Sequence, residues 1–240
     1  MSKKETELAV VEQMPAFLMG VESARGVENV GADDLTIPRL ELIQSLSPCR
    51  KKSDPSYIEG ADEGMMFNSL TRELYGDSVL VVPVYYKKEW IIWKNRAAGG
   101  GYRGAYPSQA AAIEALETLP DRDSCDIQLT AQHFCLLVKA DGSTEDVVLS
   151  LSRSKLKMSR KWNSLMRVAG GDSFSRVYKV SSYVESNAAG QDYHNLTVSA
   201  AGFPTESVYR RAESLYRSVV AGGVVADSNY AQAVSFVDEM

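Results

Sequence analysis

Residues 78–94 read SVLVVPVYYKKEWIIWK, and how this stretch divides decides the fold. Ser78 to Tyr86 is β-branched and aromatic, the composition of a buried strand. Pro83 lies inside it and has no N–H for a ladder, so it marks an edge or a bulge. Trp90 to Trp93 forms another strand. Side chains alternate along a strand, so Tyr86, Lys88, Trp90 and Ile92 share one face and Tyr85, Lys87, Glu89, Ile91 and Trp93 the other. Only one face can join a core, so the alternation predicts one exposed tryptophan.

Working outward, the pattern stays β-rich. Met65–Leu70 and Glu73–Tyr75 flank a turn. Ile127–Lys139 and Val147–Leu151 read as antiparallel strands around Asp141-Gly142, a strong hairpin signal. Ser173–Glu185 and Tyr193–Ala200 form a second pair, with a bulge expected because Phe174, Val177 and Val180 do not share one parity. Three helices interrupt the strands. Ser108–Leu119 opens on a serine cap and is stopped by Pro120. Ser152–Val168 places Leu156, Trp162, Leu165 and Met166 on one side and ends at Gly170-Gly171. Pro204–Val220 is opened by Pro204 and Thr205. Ile37–Leu46 reads as a strand or a short helix, and Lys51–Gly64 as a loop.

These elements divide the chain into an N-terminal arm (1–36, with a short helix near Val10–Met19), a central domain (37–203), a C-terminal helix (204–222) and an acidic tail (223–240). The fold class is α+β and β-rich, with a partly open antiparallel barrel and added helices. No stretch of 18 apolar residues and no signal-peptide core occurs, so the expectation is a protein that is neither membrane-spanning nor exported, in the cytoplasm of its cell. Three cysteines without C-x-x-C spacing and only two histidines argue against disulfides or structural zinc. No cofactor is called for.

The charge distribution says more than the net charge of −5. Between Arg153 and Lys179 lie eight cations (Arg153, Lys155, Lys157, Arg160, Lys161, Arg167, Arg176, Lys179) and one acid, Asp172. Such a run suits a surface that tracks phosphates. On a helix starting at Ser152, however, its cations spread around much of the circumference. A second stretch interleaves aromatics with cations from Tyr85 to Lys94, continuing to Arg96, Tyr102 and Arg103. Flat rings beside positive charge suit single strands, whose bases offer a face for stacking. The candidate stacking residues are Tyr86, Trp90, Trp93 and Trp162. The candidate phosphate contacts are Lys87, Lys88, Arg103, Arg153, Lys155, Lys157, Arg160 and Lys161. The tail ends Ser235-Phe236-Val237-Asp238-Glu239-Met240, and Phe236, Asp238 and Glu239 are candidates for docking partner proteins or competing with DNA for the basic groove.

Enzyme signatures are absent: no P-loop, no G-x-S-x-G, and no Rossmann-type glycine pattern. Glu145-Asp146 are adjacent on a strand and point to opposite faces. The reading is a protein that is not an enzyme.

The segments IPRLELIQSLSP (37–48), MMFNSLTRELYGDSVLVVPVYYKKEWIIWK (65–94) and SRKWNSLMRVAGGDSFSRVYKV (159–180), with the acidic C-terminus, resemble phage single-stranded-DNA-binding proteins over about residues 36–201. The resemblance implies an oligonucleotide-binding (OB) barrel that coats single strands with little sequence preference during DNA replication or recombination. Association into a homo-oligomer is compatible with this reading. The competing class is a phage protein-interaction module, an inhibitor or a virion component, without nucleic-acid affinity.

Overall fold

A computed structural model describes residues 25–26, 36–222 and 225–226. The expected helix near Val10–Met19 and the acidic tip at Phe236, Asp238 and Glu239 lie outside the described residues. The architecture is the expected β-rich α+β class. Its strands are β1 (Thr36–Ile37), β2 (Leu40–Leu42), β3 (Met66–Asn68), β4 (Leu74–Gly76), β5 (Ser78–Lys94), β6 (Tyr102–Tyr106), β7 (Cys125–Val138), β8 (Thr144–Ser152), β9 (Val177–Ser186), β10 (Asp192–Gly202) and β11 (Val225–Ala226). Its helices are α1 (Gln109–Thr118), α2 (Leu156–Ala169) and α3 (Glu206–Val220).

The two strands read within 78–94 are one strand of 17 residues. It is continuous because Pro83 sits at a bulge: the register against β7 shifts between Pro83, opposite Cys135, and Tyr85, opposite Phe134. The bulge absorbs the proline and exchanges the two faces. Before it, Val79 and Val81 enter the main core, and beyond it Tyr86 packs there. Val84 and Tyr85 both turn to the opposite face. The bulge read within Ser173–Glu185 is not there; the register of this pair shifts instead on the partner strand, β10, between Ala200 and Gly202. Phe174 is off parity for another reason: it lies in a short 3-10 turn, Ser173–Ser175.

β5 organises the main antiparallel sheet, whose order is β10-β9-β5-β7-β8. β7 runs along the whole of one side of β5. On the other side, Ser78–Val81 pairs with β9 and Trp90–Trp93 with β6. Ser173 enters the space between and donates from Oγ to the Val84 carbonyl at 3.0 Å. The β7–β8 hairpin turns at Gly142, with φ of +84°, and Asp141 accepts from the Ser143 N–H.

Among the described residues, the outer strands β8 and β10 are not paired with each other. The segment running from β1 past β2 spans them instead. The Pro38 carbonyl accepts from the Val148 N–H at 2.9 Å. Farther along, the Gln44 carboxamide imitates a strand against β10: Nε2 donates to the His194 carbonyl at 2.7 Å and Oε1 accepts from the His194 N–H at 2.9 Å. Both sheet edges are thus met where a bare ladder would recruit another chain.

Two cores result. On one face, Val81, Cys135, Leu137, Leu149, Tyr178 and Val198 pack with Met158 and Trp162 of α2. On the other, Val82, Val84, Phe134, Leu136 and Val148 lie under Ala212, Leu215 and Val219 of α3. Arg211 fixes α3 through Asp146 at 2.6 and 2.8 Å. α1, capped by Ser108 Oγ accepting from the Ala111 N–H, covers the far end of β5 around Ile92.

Trp162 has no solvent exposure, so Trp162→Ala opens a large void where α2 meets the sheet. The expected loss is about 3–5 kcal/mol of unfolding free energy, measured by urea denaturation.

Candidate nucleic-acid interface

The basic run resolves into a 3-10 turn and a helix. Arg153–Lys155 forms the turn and α2 begins only at Leu156. That later start changes the helix surface. At 100° per residue, Lys157, Arg160, Lys161 and Arg167 fall within one arc of about 120°, and all four are exposed. Met158, Ser159 and Trp162 form the buried arc. Among the described residues, none of the four cations makes an ion pair within 4.0 Å. The expected spread of charge around the helix is therefore corrected: the cations are one-sided.

The buried arc is held by an uncharged polar contact. His133 of β7 hydrogen bonds through Nε2 with Ser159 Oγ at 2.8 Å. The Trp162 ring stacks on the imidazole, with centroids 4.6 Å apart and planes 8° apart. Tyr178 meets the indole edge-on at 5.8 Å. Burial pushes the His133 pKa down from 6.5 to about 3. On a strand, alternation alone makes His133 a same-face neighbour of Cys135, and nothing local in the sequence reveals the helix that lands on it.

The predicted stacking residues do not form one platform. Trp162 is sealed in the core and is not available to a base; the apolar arc of α2 carries its indole inward. Tyr86 is half-buried, 5.0 Å from the His133 ring. Trp90 is half-buried against α1 and β6. Trp93 leaves the opposite face and meets Tyr102 edge-on at 5.7 Å. Neither of these two tryptophans is exposed, contrary to the alternation argument, because β6 and α1 cover this end of β5.

The predicted phosphate contacts divide similarly. Lys87 is exposed but paired with Glu89 at 2.5 Å, whereas Lys88 is exposed on the other face. Arg103 is held by Asp121 at 2.9 Å, and Lys94 joins the same carboxylate at 3.1 Å. The two cations hold the Asp121 carboxyl down at about 2, the Arg103 hydrogen bond contributing most. Arg103 is thus a structural pair rather than an open cation. Arg153 is exposed and Lys155 half-buried in the turn before α2. Only Lys157, Arg160 and Lys161 stand together, joined by Arg167.

This cationic arc adjoins β10. Lys161 Nζ lies 3.4 Å from Thr197 Oγ1. At the start of the helix, the Glu185 carboxyl is held below its ordinary range by the Asn195 amide, with Lys157 adding to the effect. Glu185 pairs with Tyr193 in the β9–β10 register. Lys157, near Glu185 of β9, and Lys161, at Thr197 of β10, thus place α2 alongside the β9–β10 hairpin.

Fold and surface together define a β-rich α+β protein with a one-sided cationic helix laid beside an outer strand. The sequence matches the family model described as Pam3 phage gp34-like protein over residues 3–225. The chain belongs to this bacteriophage protein family. No curated protein and no solved structure matches it. Among the described residues, no helix is long and apolar enough to cross a membrane.

His133 supplies a pH test of the α2 contact. The unfolded chain binds a proton near pH 6.5 and the folded chain only near 3. The stability due to neutral His133 is therefore complete above 6.5 and lost as pH falls toward 3, at a limiting slope of about 1.4 kcal/mol per pH unit. His133→Gln is expected to be less stable at pH 7, with the difference from wild type shrinking in urea melts taken between pH 6.5 and 4. A constant difference across that window would contradict the neutral buried imidazole.

Proposed function

We propose that this phage protein binds single-stranded DNA through the outward face of α2 and the adjoining strand, without enzymatic turnover. The observation that carries the proposal is the arc of Lys157, Arg160, Lys161 and Arg167. These cations lie on one side of one helix, and among the described residues none of them makes an ion pair within 4.0 Å. A flexible polyanion is the natural partner of such a strip, because each phosphate contact releases condensed counterions.

The strand order supports the same reading. One long strand, β5, is shared by β7–β8 on one side and β9–β10 on the other, with a helix inserted between β8 and β9. This arrangement is compatible with a five-stranded, partly open oligonucleotide-binding barrel. Membership of a phage family is consistent with a role in replication or recombination inside a bacterial host. Docking of replication or recombination proteins on Phe236, Asp238 and Glu239 is part of the proposal and rests on tail composition alone.

Fluorescence anisotropy of a labelled oligo-dT tests the reading. Intrinsic tryptophan emission is the poorer probe, since none of the three indoles is exposed. Binding should weaken linearly in log–log form as salt rises, by about 0.7 log units per log unit of salt for each phosphate contact. Arg160→Gln should lower that slope by about one contact. Lys157→Glu/Arg160→Glu/Lys161→Glu should abolish binding without lowering the melting temperature. A wild-type protein that ignores oligo-dT at low salt would exclude the proposal and favour a protein-interaction module.

A further inference from the structure

The residues first expected to stack on bases are buried or scattered, yet the end of β10 carries an aromatic ring that charge patterning did not single out. Phe203 follows the last residue of β10 and is 71% exposed. The Arg176 guanidinium lies over its ring, 4.6 Å from the centroid. An exposed phenylalanine with a cation on one face and solvent on the other is poorly explained as packing. Arg176 is itself in extended conformation, so alternation places it on the same side of β9 as Tyr178, two residues on. Tyr178 meets Trp162 of α2 edge-on. The Arg176–Phe203 pair therefore lies on the helix side of the hairpin, beyond the Trp162 contact.

The strip between the two features is open. Lys161 meets β10 at Thr197, six residues before Phe203. Along a strand this separation spans roughly 20 Å. In between, Ser199, Ala200 and Ala201 are small and exposed. The outer face at the centre of β5, β7 and β8 is closed to ligands, since α3 covers Val82, Val84, Phe134, Leu136 and Val148.

We infer that Phe203, backed by Arg176, is a base-stacking platform at the end of the α2 cationic strip, so that single-stranded nucleic acid follows the α2–β10 border. This inference rests on the nucleic-acid reading above. The guanidinium fixes the ring by a cation–π contact and adds positive charge near the backbone of the bound strand. The free ring face takes a base of any identity, which suits binding without sequence preference.

The test uses the full chain with two labelled oligonucleotides of equal length, oligo-dT and an abasic strand with the same phosphates. Phe203→Ala should weaken oligo-dT binding roughly five- to a hundredfold. Its affinity for the abasic strand and its salt slope should stay at wild-type values. Phe203→Trp should restore oligo-dT affinity, and Arg176→Gln should reduce both affinity and slope. Because Phe203 is exposed, both Phe203 variants should melt with the wild type. If wild type binds oligo-dT with a clear salt slope while Phe203→Ala binds equally well, the platform is wrong and the α2 reading stands. If wild type binds neither strand at low salt, both fall.

Discussion

The docking of α2 on His133 fixes what the rest of the surface can be. The helix carries charged residues at Lys157, Arg160, Lys161 and Arg167 and buries Met158, Ser159 and Trp162. Rotation by one residue, 100°, would turn a lysine or arginine toward the sheet. An unpaired cation there would face a large desolvation cost. The stacked imidazole and indole and the Ser159 hydrogen bond select a single rotation, because only one angle brings Ser159 Oγ to His133 Nε2 and lays Trp162 flat on the ring. The position of the cations is thus a consequence of an uncharged contact in the core.

A second constraint follows from leaving the sheet open. Outer strands β8 and β10 each have one ladder without a regular partner strand. The segment from Pro38 to Gln44 meets both, by a backbone bond to Val148 and by a side chain that pairs with His194. A carboxamide satisfies one N–H and one C=O without continuing as a strand, which leaves β10 beyond His194 free to lie beside α2. Asn195 helps in the same way, its Oδ1 accepting from the Leu196 N–H at 2.8 Å. The sheet edge is blunted locally, and the border with the helix remains accessible.

The elements legible in the sequence are those set by local chemistry. Ser108 and Thr205 accept from N–H groups of the helices they open, and Asp141-Gly142 turns the β7–β8 hairpin. The alternation of residues 85–93 also holds, with Tyr85 against Phe134 on one face and Tyr86 against His133 on the other. The illegible features depend on distant chain. The polar Lys87-Lys88-Glu89 looked like a break, yet strand pairing with Gln132, Ala131 and Thr130 carries β5 straight through it. Trp162 could have faced either way until His133, 29 positions earlier, supplied the surface beneath it. The cation arc was hidden by a small boundary error: a helix begun at Ser152 includes Arg153 and Lys155, which belong to the 3-10 turn. Phe203 offered no signal at all, since its exposure and its contact with Arg176 depend on where β10 ends.

A net charge of −5 does not by itself oppose the proposed contact with a polyanion, because the range of charge in salt is short. At physiological ionic strength the screening length is about 8 Å, whereas α2 with its 14 residues is about 21 Å long. A phosphate near the helix therefore senses the nearest side chains rather than the total. Many of the acids are also engaged elsewhere: Asp62 and Glu63 with Arg50, Glu73 and Glu145 with Lys139, Asp121 with Lys94 and Arg103, and Asp146 with Arg211. These pairs add little stability where exposed, but they place negative charge beside compensating cations and away from the α2–β10 border. Under the proposed reading, the overall acidity would oppose indiscriminate adhesion to nucleic acid, and contact at one strip would be favourable only where several phosphates are bound together.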